Sequence, residues 1–337
     1  MTEEKGFLWK KDKVYLFFRP YVDWCTRTSY APFVTRGKEN IPEEGPVIIA
    51  CNHCNTLMDA LVVLQARRQA TAFGARADMF RNPTAASILH WLRIVPLARH
   101  RDTPEEIARN AETFELINEC ICRGTPFAIY PEGTHRMKRS LLPLKKGIAK
   151  MALMTNEKYG VPVSIVPAGI DYYDYLHNMV PATLTFGKPI VVNAGDEIPD
   201  ILEKLRAEMS KLITYFPDDE NYDKAFAEWE KENRKPHKGF LHTLRNVLLT
   251  PLFAVSAVLS APMWITSAFI CRKLKDKAWS NTVRFGTKLI GIILLTIIYG
   301  ILGFVFLPWW GALALIVATW FSHQTFYWIL NSYKGIL

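Results

Sequence analysis

Two stretches of this chain carry no Asp, Glu, Lys or Arg: Val247 to Cys271 and Leu289 to Tyr333. Runs of that length read as membrane segments, because roughly 20 apolar residues span the hydrocarbon of a bilayer. Their flanks carry the orientation signal. Residues 234–246 hold four cations (Arg234, Lys235, Lys238, Arg245) and no acid, and residues 272–288 hold six (Arg272, Lys273, Lys275, Lys277, Arg284, Lys288) against Asp276 alone. Short basic flanks stay on the cytoplasmic side. Both flanks do so only if 247–271 enters and returns, or lies in the interface, bent near Pro251 or Pro262. Segments 289–307 and 311–331 then cross as a pair around the "PWWG" turn at 308–311. Three straight spans are the alternative, and they would place the basic loop outside. At the other end, "VYLFF" is cut short by Arg19-Pro20, too early for a signal-peptide core, so no cleaved leader is expected. Residues 7–24 mix aromatics with Lys10, Lys11, Lys13 and Arg19, which suits a helix lying on an anionic membrane; the plain alternative is a helix packed on the domain.

Between about 45 and 192 the pattern changes to short β-type runs alternating with helical ones. Strands are expected at 46–51, 71–76, 94–99, 126–131, 163–170 and 182–192. Helices are expected at 56–68, 85–93, 103–123 and near 143–157, then at 199–215 and 219–233. The order "TPEE" at 103–106 is the chemistry of a capped helix start. Alternation of this kind predicts an α/β fold with a mostly parallel central sheet flanked by helices. The expected organisation is a membrane-associating segment over 1–34, an α/β domain over 35–235 and a hydrophobic membrane region over 236–337.

The net charge of +9 admits nucleic acid, anionic lipid or a phosphorylated substrate as partner. The membrane segments favour the last two, and no nucleic-acid role is expected. The six cysteines (25, 51, 54, 120, 122, 271) read as a reduced set rather than a disulfide framework. Cys51 and Cys54 flank His53, but no second ligand pair accompanies them, so neither a metal nor a zinc hydrolase is favoured.

The chemistry concentrates in "IIACNHCNTLMDALVV" (48–63). An apolar run stops at Asn52-His53, and Asp59 follows inside the next helix, where Asn55 or Thr56 is placed to cap it. His53 therefore stands at the carboxyl edge of the sheet, where open α/β sheets hold their sites. A carboxylate bonded to one ring nitrogen fixes the tautomer and leaves the other nitrogen to take a proton from a hydroxyl. A structural His–Asp contact is the plain alternative. Two further strand ends gather cations: "AIYPEGTHRMKRS" (128–140), with Arg136, Lys138 and Arg139, and "RIVPLARHRD" (93–102), with Arg99 and Arg101. Turn N–H groups and arginines can hold phosphate, while a solvated charge cluster is the bland reading of each.

Taken in order, "NHCNTLMD", "IVPLAR", "YPEGTHR" and "VPVSIVPAGI" resemble the four blocks of the glycerolipid acyltransferases related to 1-acylglycerol-3-phosphate acyltransferase, over roughly residues 30–190. The resemblance implies transfer of a fatty acyl group from acyl-CoA or acyl carrier protein, as donor substrate rather than cofactor, to a hydroxyl of a lipid precursor. It implies His53 as general base, Asp59 as its partner, and Arg99, Glu132, Gly133, Thr134 and Arg136 as residues binding the acceptor's phosphate. Two departures stand out: five residues (Cys54 to Met58) separate His53 from Asp59, and His135 occupies the place of the family's Arg. Both look like the branch that includes some glycerol-3-phosphate acyltransferases. The expected acceptor is lysophosphatidate or glycerol 3-phosphate, with a non-phosphate lysolipid such as an acyl-amino acid as alternative. The expected location is the cytoplasmic membrane with the catalytic domain facing the cytoplasm. From another class, a silent scaffold binding anionic lipid remains as the competing reading.

Overall fold

The structure, a computed structural model, describes residues 4–66, 71–99, 102–234 and 239–336. Its centre is an eight-stranded sheet: β1 (Tyr30–Arg36), β2 (Val47–Cys51), β3 (Ala72–Arg76), β4 (Ile94–Leu97), β5 (Phe127–Ile129), β6 (Val163–Tyr172), β7 (Val180–Phe186) and β8 (Ile190–Val192). The spatial order is β1-β7-β6-β2-β5-β3-β4, and β8 pairs with the first half of β6. Pairings among β2, β3, β4, β5 and β6 are parallel, as is β1 with β7; only β6 with β7 and with β8 run antiparallel. The mostly parallel α/β fold is therefore as the alternation predicted.

β2 shows why. All its residues are buried, and they alternate: Ile49 and Cys51 face one core, Ile48 and Ala50 the other. A strand covered on both faces needs a continuous apolar run, which "VIIAC" supplies. One core packs the sheet against the helices Asn110–Cys122, Gly147–Tyr159 and Ile198–Ser210, through Ile117, Ile148 and Leu205. The other holds the helix Leu57–Val63 and reaches Phe285, Ile292 and Leu295 of the C-terminal helix Ser280–Phe306. Each such side chain contributes about 1.5–3 kcal/mol on burial. The sheet and the hydrophobic region thus share one core.

Several boundaries differ from the sequence reading. β1 was not foreseen, because "YAPFVTR" is a half-exposed edge strand with Pro32 inside it. The single strand expected at 182–192 splits into β7 and β8 at Gly187-Lys188-Pro189. The helix expected over 103–123 is two, Pro104–Ala108 and Asn110–Cys122, meeting where the Asn110 side chain bonds both backbone groups of Ala98 (2.9 and 2.8 Å). Its capping box is present, between Thr103 and Glu106. The cations Arg67, Arg68, Arg101, Lys235 and Lys238 lie outside the described residues.

Among the described residues, three helices are long and apolar enough to cross a membrane: Phe240–Leu259, Lys277–Phe306 and Trp309–Tyr333. The uncharged run 247–271 is built as two helices, Phe240–Leu259 and Ala261–Lys273, broken at Ser260 just before Pro262. Its two ends lie together. Arg245 bonds Ser332 (2.5 Å), and the Cys271 Sγ is 3.6 Å from the Ser280 carbonyl oxygen. Its apex at Leu259 accepts a bond from Tyr299 (3.2 Å), about 28 Å along the neighbouring helix at 1.5 Å per residue. Among the described residues, the run folds back on itself as a helical hairpin.

The N-terminal helix Lys13–Arg27 docks on the helix Ser280–Phe306. Buried Lys288 donates to the Cys25 carbonyl (3.1 Å) and to Thr28 Oγ1 (2.6 Å) at the helix's carboxyl end, where a cation meets the helix dipole. The outer face of this helix shows Val14, Leu16, Phe17 and Phe18 to solvent, so it is both packed on the domain and apolar outside.

Candidate active site

β2, β5 and β6 lie side by side and run parallel, so their carboxyl ends open at one edge. Three side chains meet there. His53 leaves β2, Glu132 follows β5, and Tyr172 ends β6.

Asp59, fully buried, is the hub. Its Oδ2 accepts from His53 Nδ1 (2.7 Å), Cys54 N–H (2.8 Å) and Asn55 N–H (2.7 Å), and its Oδ1 from the Tyr172 hydroxyl (2.8 Å). Two backbone N–H groups already donate to that oxygen, so His53 Nδ1 donates to it as well and Nε2 is the ring nitrogen left open. The helix start is organised differently from expectation. Neither Asn55 nor Thr56 caps it with a side chain; Asp59, in the first turn, folds back to accept the orphan N–H groups of Cys54 and Asn55. The turn costs strain, since Thr56 sits at φ 49°, unusual for a β-branched residue.

The His53 ring stacks on Tyr130 (4.2 Å between centroids, 15° between planes) and keeps partial exposure, 18% of its side chain. Its backbone is held by the β5 loop: the Glu132 carboxylate accepts His53 N–H (3.0 Å) and Leu142 N–H (2.8 Å), and Arg136 N–H donates to the His53 carbonyl (2.9 Å). Glu132 is buried, and burial pushes its carboxyl up against the opposing pull of those two N–H groups. Gly133 makes the turn at φ 72°, where a side chain would be strained, and Gly133 and Thr134 are exposed beside the site.

The two arginines assigned to phosphate are differently placed. Arg99 follows β4, three strand positions from β2 and hence roughly 14 Å across the sheet. Its guanidinium is clasped by Asp102 (2.8 and 3.2 Å). Arg136 bonds Asp218 and Ser140 Oγ (2.6 Å), and Lys138 shares the same Asp218 (3.0 Å). Arg139 is buried, tied to Asp171 and to the Tyr172 carbonyl, and stacked on Trp229. Glu132 likewise has both oxygens on backbone groups, so it holds the catalytic loop rather than facing an acceptor. The Cys51 and Cys54 thiols are buried and pushed well up by that burial, and Cys54 Sγ accepts from Asn52 (3.2 Å).

Tyr172 and Tyr130 were not singled out from the sequence as site residues. Tyr172 stands two residues beyond the expected strand 163–170, and a strand one turn longer would have carried it to the edge. His135, noted only as a departure, places its ring centroid 5.6 Å from that of His53, the two rings edge to face.

Beside the His53 loop, a cleft of about 120 Å³ lies between the N-terminal helix and the helix beginning at Leu57, lined by Phe18, Val22, Leu57, Leu61, Phe73 and Ile94 among others. It begins two residues from Asp59.

A buried carboxylate orienting a partly exposed imidazole is an arrangement that can act as a general base toward a substrate's own nucleophile. Residues 33–171 match the family described as Acyltransferase. Two yeast proteins are similar. Glycerol-3-phosphate O-acyltransferase 2 of Saccharomyces cerevisiae is 32% identical over 108 residues, 31% of this chain and 14% of its own length. Glycerol-3-phosphate O-acyltransferase 1 is 40% identical over 80 residues, 23% of this chain and 10% of its own. The chain therefore aligns with a small part of those relatives. The crystal structure of the 1-acyl-sn-glycerophosphate acyltransferase from Thermotoga maritima is 21% identical, with a TM-score of 0.42, covering 61% of this chain and 84% of that one.

Proposed function

We propose that the protein transfers a fatty acyl group from a thioester donor, acyl-CoA or acyl carrier protein, to a hydroxyl of a phosphorylated glycerol acceptor: lysophosphatidate or glycerol 3-phosphate. The observation that carries it is the Asp59–His53 pair, at 2.7 Å, with Nε2 left open at the sheet edge. Nε2 takes the hydroxyl proton as its oxygen attacks the thioester carbon. The carbon–oxygen bond forms, the carbon–sulfur bond breaks, and the imidazolium returns the proton to the departing thiolate. Asp59 holds the imidazolium while it exists, without taking its proton. The apolar space beginning at Leu57 suits the acyl chain. The apolar helices suit an enzyme whose acceptor or product is a lipid, with the α/β domain on the cytoplasmic face of the cytoplasmic membrane.

The internal pairing of Arg99 and Arg136 favours, as a second reading, an acceptor without phosphate such as an acyl-amino acid. One experiment separates them. Purified full-length protein is given labelled acyl-CoA or acyl carrier protein with each acceptor, and products are read by mass spectrometry beside His53→Ala. Product with the glycerol phosphates that disappears in His53→Ala supports the proposal. Product only with the acyl-amino acid overturns its acceptor, and no product with any acceptor, or product that persists in the variant, overturns it altogether.

A further inference from the structure

The turn that lays Asp59 against His53 is held from outside the family match. Thr56, which lies between the two, sits at φ 49° and ψ −123°, a conformation that glycine adopts freely and a β-branched residue does not. A residue in such a conformation persists only where its surroundings hold it there. Among the described residues, the hydrogen-bond partners of its hydroxyl come from the C-terminal hydrophobic region: Thr282 Oγ1 at 2.8 Å and the Ala278 carbonyl oxygen at 3.4 Å. A hydroxyl donates once and accepts as well, so it can donate to the carbonyl while accepting from Thr282. Thr56 is buried, which leaves that hydroxyl little water to turn to instead.

What Thr56 decides is the direction of the chain. Its carbonyl accepts Asp59 N–H (3.3 Å), closing the first helical turn. Its positive φ turns residues 53–55 back over that turn, so that Cys54 N–H, Asn55 N–H and the His53 ring all reach one Asp59 oxygen. Were Thr56 to relax to an ordinary φ, the strand end and the helix start would swing apart and the His53–Asp59 contact would open. The part that holds it is itself fixed against the sheet edge. Asp276 Oδ1 caps the turn before Ser280 through Ala278 N–H (3.0 Å), and Asn281 donates to the Tyr175 carbonyl (2.8 Å), in the loop that follows β6. Resting on the proposed acyl transfer, we infer that Thr282 is a positioning residue for the general base: from the first turn of the helix Ser280–Phe306 it holds Thr56 in its positive-φ conformation and so keeps Asp59 on His53. It touches neither the imidazole nor a substrate. The hydrophobic region thereby sets the geometry of the catalytic pair as well as serving as an anchor.

The test is steady-state kinetics on full-length protein with labelled acyl donor and the acceptor that the wild type uses, with melting curves recorded for each variant. Thr282→Val keeps the shape and removes the hydroxyl. Its kcat should fall roughly 10-fold, the scale of one buried hydrogen bond, with both KM values within about twofold of wild type. Thr282→Ser keeps the hydroxyl and should hold kcat within about threefold of wild type. Two variants at Thr56 separate positioning from bracing. Thr56→Val loses the bond but keeps the strain of a β-branched residue, so it should lose as much as Thr282→Val. Thr56→Gly loses the same bond yet adopts the conformation unaided, so its kcat should stand roughly fivefold above that of Thr56→Val. Adding Thr282→Val to Thr56→Gly should change kcat by less than about twofold. A wild-type kcat in Thr282→Val overturns the inference while leaving acyl transfer standing. So does a Thr56→Gly variant that falls as far as Thr56→Val, which would mark the contact as a brace only. Absence of transfer by the wild type overturns the proposed activity and this inference together, so the wild-type rate tells the two failures apart.

Discussion

The loops after β2 and β5 meet over one sheet edge, and each brings a buried carboxylate to His53. They use it differently. Asp59 faces the imidazole ring and gathers two N–H groups and a tyrosine hydroxyl around the same carboxylate. Glu132 never touches the ring; it holds the backbone N–H of His53 and, ten residues away in its own loop, that of Leu142. One carboxylate orients the ring, and the other sets where the chain carrying that ring lies. The sequence resemblance implied Asp59 as the partner of His53 and set Glu132 with the acceptor's phosphate.

The comparison can be broken or sharpened by substitution. His53→Ala sets the scale: removing a general base costs about 10²–10⁴ in rate, with the melting temperature little changed, because the ring is partly exposed. Activity within a few-fold of wild type in the labelled-donor assay would discard the assignment. Asp59→Asn should lose nearly as much, roughly 10³-fold in kcat, since the amide holds the wrong tautomer and presents NH₂ to groups that donate. Glu132→Gln should act in the other currency. Its amide offers one oxygen to two backbone donors, so stability should fall by about 1–3 kcal/mol while kcat falls by no more than roughly 10-fold. A larger kcat loss in Glu132→Gln than in Asp59→Asn would erase the distinction drawn here.

The Glu132 effect should also depend on pH. Its carboxyl is raised by burial above the unfolded value, so its contribution to stability is full below the unfolded pKa and is lost as pH rises through the raised one. Thermal melts of wild type and Glu132→Gln should therefore differ most below the unfolded carboxyl pKa and converge as pH rises above it. A gap that widens with pH would contradict the raised carboxyl. Arg99→Ala should be the mildest change, under about threefold in acceptor KM, because its guanidinium is already clasped by Asp102. A tenfold rise would return Arg99 to the acceptor site.

The sheet was legible where burial is two-sided. "VIIAC" and "VSIVPAGI" are apolar throughout because both faces are covered, whereas β1 escaped because an edge strand needs no such run. His53 and Asp59 were legible because they sit six residues apart on one turn. The partners of the basic residues were not. Arg136 with Asp218 and His135 with Asp276 are joined across 82 and 141 residues, and no local pattern marks which acid a cation will find.

Lys288 has a consequence for the order of events during synthesis. Its ammonium is held by Cys25 and Thr28, 263 and 260 residues earlier, at the start of an otherwise uncharged run. The helix Lys13–Arg27 is made about 260 residues before this partner, an interval of roughly 13–50 s at 5–20 residues per second. Until then Phe17 and Phe18 lie on a helix whose carboxyl end is uncovered, and Lys288, when it arrives, is an unpaired cation at a bilayer boundary. Docking the two ends is therefore a late, chain-closing event, and a ribosome stalled before residue 288 leaves the N-terminal helix without its clasp.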